Sequence, residues 1–79
     1  MALIYQYAIA LKDELASRYG AEVKETDNCA GQFFTLSVSL SEEIKTFIRE
    51  FLDERRCEPI FWDDNSFSVR DLFNKKHNM

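Results

Sequence analysis

The chain has 79 residues, ten of them basic and fourteen acidic, giving a net charge of −4, with 46% hydrophobic and 14% aromatic content. That length holds one domain and a modest core, and the aromatic content excludes a disordered chain. The acidic balance argues against generic binding to a phosphate backbone, which needs a basic face.

Two cysteines, Cys29 and Cys57, form no C-x-x-C pair, and the one histidine, His77, lies near the C-terminus. Thiols in a reducing cytoplasm are the expectation. The apolar stretch 1–11 has no positive charge before it, so it reads as the start of a helix and not as a signal segment. The expected location is cytoplasmic.

A first helix is predicted over residues 3–19. Ile4, Tyr7, Ala8, Leu11, Leu15 and Tyr19 share a stripe at helical spacing. Gly20 stands where a left-handed cap is wanted. A second, thinner stripe contains Tyr5 and Ile9, two large apolar residues without an evident place in the core.

A weak first strand follows over 21–26. Its charged residues suggest a sheet edge. Residues 27–31, Asp-Asn-Cys-Ala-Gly, form a turn by composition. The second strand, over 34–40, alternates Phe34, Leu36, Val38 and Leu40 against Thr35, Ser37 and Ser39. That period of two marks a half-buried strand.

The period then changes. Ile44, Phe47, Ile48, Phe51 and Leu52 follow the 3.6-residue period of a helix over 42–56. Ser41 is its expected N-cap. Glu42 and Glu43 suit the positive end of the dipole, Arg55 and Arg56 the negative end.

The third strand is predicted over 58–62 and the fourth over 67–71, joined by the turn Asp63-Asp64-Asn65-Ser66. Ile60 and Trp62 are assigned to the buried face, and Phe61 to the opposite one. Residues 74–79 read as a flexible tail after a single domain of residues 1–73.

The expected fold is α+β, a two-layer sandwich in the order α-β-β-α-β-β. It has a four-stranded, mainly antiparallel sheet in the order 1-2-4-3, with both helices on one face. The order is loosely similar to that of small acidic secretion chaperones, a likeness of architecture that no motif accompanies. Connectivity puts Asp63 and Asp64 near Glu42 and Glu43, making one acidic end. The free face of the sheet is expected to carry Phe33 and Phe61 among small polar residues.

Catalytic chemistry finds little support. A histidine near a chain end cannot be held in geometry with a nucleophile. Asp63-Asp64-Asn65 lacks the spacing of a cation loop, and no His/Cys set suits a metal. No glycine-rich loop could cradle a phosphate. The sequence therefore reads as a non-enzymatic module with no metal and no cofactor. It would bind a protein, with a homodimer as one form, through Glu42, Glu43, Asp63, Asp64, Phe33, Phe61, Tyr5 and Ile9. One version is an inhibitor or decoy, of the kind phages and other mobile elements encode, directed at a basic protein that handles nucleic acid. The alternative is a nucleic-acid binder that stacks bases on Phe33 and Phe61. A membrane partner is not expected.

Overall fold

A computed structural model describes residues 5–28 and 31–71. Its order is α1 (Tyr5–Tyr19), β1 (Val23–Asn28), β2 (Gly31–Leu36), α2 (Glu42–Asp53), β3 (Cys57–Asp63) and β4 (Ser66–Asp71). The four strands form one antiparallel sheet in the order β1-β2-β4-β3. Fold class and strand order are as the sequence predicts. Cys29 and the tail 74–79 lie outside the described residues.

The ladders align into rows that run across the sheet. Glu25, Phe34, Phe67 and Phe61 make one row; Thr26, Phe33, Ser68 and Ile60 make the next. Because side chains alternate, adjacent rows face opposite sides. The row of Phe34 and Phe67 faces the helices, and these two rings stack 5.0 Å apart in the core. Ala8, Leu11 and Leu15 of α1 and Ile44, Ile48 and Leu52 of α2 close over them.

Local signals fix the helix ends. Gly20 has φ 65°, the left-handed cap that suits glycine. Ser41 Oγ accepts the Ile44 N–H at 3.3 Å, capping α2. At its other end α2 stops at Asp53, three residues before the predicted bound. The backbone N–H groups of Arg55 and Arg56 make short turn bonds, to the carbonyls of Leu52 and Asp53. Arg56 takes φ 60°, unusual for a residue with a side chain, and this turns the chain into β3.

The second strand is shifted from its predicted bounds. It begins at Gly31, and the alternating pattern outlasts the ladder, which ends at Leu36. Leu40 is still buried and Val38 still packs on the core, but as part of the connection to α2. The backbone groups there find other partners: Leu36 N–H donates to the Asn65 carbonyl, and Ser37 N–H to that of Glu22.

Ile60 and Trp62, expected on the buried face, lie on the side away from the helices, and Phe61 takes the buried side instead. A regular hairpin continuing from the Asp63–Ser66 pair would set Trp62 opposite Phe67, on the buried face. A bulge between Phe61 and Asp63 inserts one residue, so Phe61 pairs with Phe67 instead. Phe61 therefore packs beneath α2, and Trp62 is 60% exposed. Cys57, 1% exposed, belongs to the same inward set as Phe61.

Candidate functional site

The helices cover one side of the sheet. The other side carries Thr26, Phe33, Ser68 and Ile60 in one row, with Thr35 and Ser66 beyond them. Phe33 and Ile60 are half-buried, and Ser68 is buried beside them. The Trp62 indole N–H donates to Ser68 Oγ at 2.9 Å. This bond satisfies the ring's one polar group and fixes its orientation. What Trp62 can still offer a partner is its aromatic surface. Glu58 and Arg70, opposite each other in the ladder, pair at the far margin of this face.

Beside Trp62 lies the turn of the β3–β4 hairpin. The Leu40 N–H donates to the Asp64 carbonyl at 2.6 Å. This ties the turn to the residues that lead into α2, so the Asp63-Asp64 tip lies next to the chain entering Glu42 and Glu43. Side chains reinforce the tie: the Asn65 amide N–H donates to the Leu36 carbonyl at 3.0 Å.

The four acidic residues are not equivalent. Asp63 works within the turn, accepting from Ser66 Oγ at 2.7 Å and from the Asn65 N–H at 3.2 Å. These bonds favour the ionised form and hold its pKa below the usual carboxylate value. Glu42 lies 3.9 Å from Lys45 Nζ. Glu43 and Asp64 are exposed and make no ion pair among the described residues. At the other end of the sheet, Asp27, Gln32, Val69 and Pro59 form a row next to the chain leaving α2. Arg55 and Arg56 belong to that end, as the connectivity predicts.

The remaining expected site residues are dispersed. Phe33 is on the open face, as predicted. Phe61 is not: its ring lies on the helix side, with Lys45 Nζ 5.4 Å and the Arg49 guanidinium 5.3 Å from its centroid. Tyr5, 73% exposed, and Ile9, half-buried, are on α1, across the sheet from Trp62. They do not join the acidic end in one surface.

Trp62 is the residue that the sequence reading missed. A phase counted from Cys57, an ordinarily buried residue type, would have put it outside. A phase counted back from the hairpin turn puts it inside, because a bulge has no composition signal here.

Both sheet edges are guarded. β1 carries Lys24, Glu25 and Asp27, and β3 carries Pro59, which lacks an N–H, together with the bulge. A partner strand would find poor pairing at either edge, so the open face and the acidic end are the better contact surfaces. Among the described residues no group of three His, Cys, Asp or Glu could hold a metal ion. No described helix is long and apolar enough to cross a membrane. A shallow cleft of about 380 Å³ is bounded by Arg49, Glu50, Asp53, Cys57, Glu58 and Pro59. Comparison with family models, with curated proteins and with solved structures returns no match.

Proposed function

We propose that this chain is a non-enzymatic protein-binding module whose contact surface centres on Trp62 and the adjoining acidic end, and whose partner is a basic protein. The observation that carries the reading is the 60% exposure of Trp62 on the side of the sheet away from the helices, next to the Asp63-Asp64 turn. Tryptophan dominates interface hot spots because it buries a large rigid surface at small entropic cost. A carboxylate rim around such an anchor favours a cationic partner in encounter and in register. An inhibitor or decoy that occupies a basic groove would need these two features.

The nucleic-acid alternative has weaker support. Phe61, one of its two stacking rings, is turned toward α2. Of the cations on the open face, Arg70 is paired with Glu58, and the neighbouring carboxylates would repel phosphate.

The test compares proteins captured from the source cell by the wild-type chain and by the double reversal Glu42→Lys/Glu43→Lys. Asp64→Lys, outside any helix, serves as a second variant whose folding does not depend on the α2 dipole. A basic protein held by wild type and lost by both variants supports the reading. Equal recovery by all three chains, each folded by circular dichroism, removes it. Oligonucleotide binding at low salt would favour the alternative.

A further inference from the structure

The described aromatic rings divide by what covers them. On the helix side, each half-buried phenylalanine lies beneath one of the chain's own cations. The Arg18 guanidinium is 4.9 Å from the centroid of Phe47, and Arg55 is 3.8 Å from that of Phe51. Lys45 and Arg49 both cover Phe61. Arg55 also lies 4.9 Å from the Tyr7 ring. Trp62 has no such cover among the described residues, although it has the strongest π-face of the aromatic side chains.

We propose that the Trp62 ring is a cation platform, and that its occupant is an arginine side chain of the basic partner. This deepens the function proposed above and rests on it. Three observations converge on Trp62. Its indole N–H is already bonded to Ser68 Oγ, so a ligand meets the π-surface and not a donor. The bulge after Phe61 leaves it without a register partner in the ladder. The exposed carboxylates of Asp64 and Glu43 belong to the same end of the molecule and make no ion pair among the described residues. Arginine suits this setting better than lysine, because a planar guanidinium stacks on a ring and still donates in its plane to carboxylates.

Trp62 is the chain's single tryptophan, so its emission reports on the site directly. The probe is a peptide of alternating arginine and glycine, with a control in which neutral citrulline replaces each arginine. The arginine peptide is expected to change the emission saturably at low ionic strength, and the citrulline peptide is not. By calorimetry, Trp62→Leu is expected to weaken binding about five- to thirtyfold, and Trp62→Tyr, which keeps a π-face, by less than about fivefold. Unchanged affinity in Trp62→Leu overturns the platform while leaving a basic partner for the acidic end. Equal binding of the citrulline peptide overturns it as well, since charge is then not what is read. No binding of the arginine peptide to the wild-type chain overturns the platform, while the capture experiment above decides the basic partner separately.

Discussion

Phe61 stands opposite Phe67 across the β3–β4 ladder, with ring centroids 6.0 Å apart, because the bulge at Trp62 shifts the register by one residue. The consequence reverses the usual expectation for two neighbouring aromatics. Phe61→Ala should cost about 2–3 kcal/mol, somewhat below the range for a fully buried phenylalanine. Trp62→Ala should cost about 1 kcal/mol or less, mainly through the bond to Ser68. Urea denaturation of both variants checks the order. A larger loss at Trp62 than at Phe61 would contradict the register.

The same two residues show where sequence reading holds and where it stops. Periodicity located the core correctly: Phe34, Leu36, Leu40, Ile44, Ile48, Leu52, Phe67 and Val69 are all buried. Capping chemistry found Gly20 and Ser41, because each acts on its own backbone neighbourhood. The sheet order followed from which strand had the stronger apolar face. The bulge between Phe61 and Asp63 was not legible, since no residue type near the turn signals it. The end of β2 was illegible for a related reason. Burial continues to Leu40, while pairing ends where the β3–β4 turn takes up the Leu36 N–H.

That turn supplies a second prediction. Asn65 binds Leu36 twice: its carbonyl accepts the Leu36 N–H at 2.8 Å, and its side-chain N–H donates to the Leu36 carbonyl. Asn65→Ala leaves the Leu36 carbonyl without that donor in a partly buried place, which should cost about 1–2 kcal/mol. Because this contact holds the acidic turn against the entry to α2, the variant should also weaken partner binding. Thermal melts and a binding isotherm on the same preparation would read both effects. A melt identical to wild type would show that the contact contributes nothing to stability.

Arg56 offers the opposite sign. Its φ of 60° is strained for a residue with a Cβ, and glycine adopts it freely. Arg56→Gly should raise stability by up to about 1 kcal/mol, the relief of strain outweighing the larger entropy of the unfolded chain. Arg56→Val, β-branched at the same position, should lower it. If both substitutions move the denaturation midpoint in one direction, strain at this position is not the cause.

Cys57 should be inert in the folded chain. Burial is the main cause that raises its thiol pKa, and the charge of Asp71 adds to it. A buried thiol held protonated attacks alkylating reagents slowly. Its Sγ–H also donates to the Arg55 carbonyl at 3.5 Å. With Cys29→Ser as background, iodoacetamide labelling at neutral pH should be slow in buffer and rapid in urea, following the unfolding curve. Fast labelling of the folded chain would mean that the start of β3 opens readily.

The pH dependence of stability should carry the signature of Asp63. Hydrogen bonds from Ser66 Oγ and the Asn65 N–H lower its pKa from the ordinary value of 3.8. The unfolded chain therefore binds this proton more readily than the folded one. The resulting stabilisation is fully present above the unfolded value and is lost as pH falls through the depressed folded value. Asp63 is fully exposed, so the contribution is salt-sensitive and small. Asp63→Asn should remove its part of the acid-side slope below about pH 4, while leaving the profile between pH 6 and 8 nearly parallel to wild type. Ser66→Ala, which deletes the leading donor, should give part of the same flattening. If the acid limbs of all three chains coincide, the turn does not favour the ionised carboxylate.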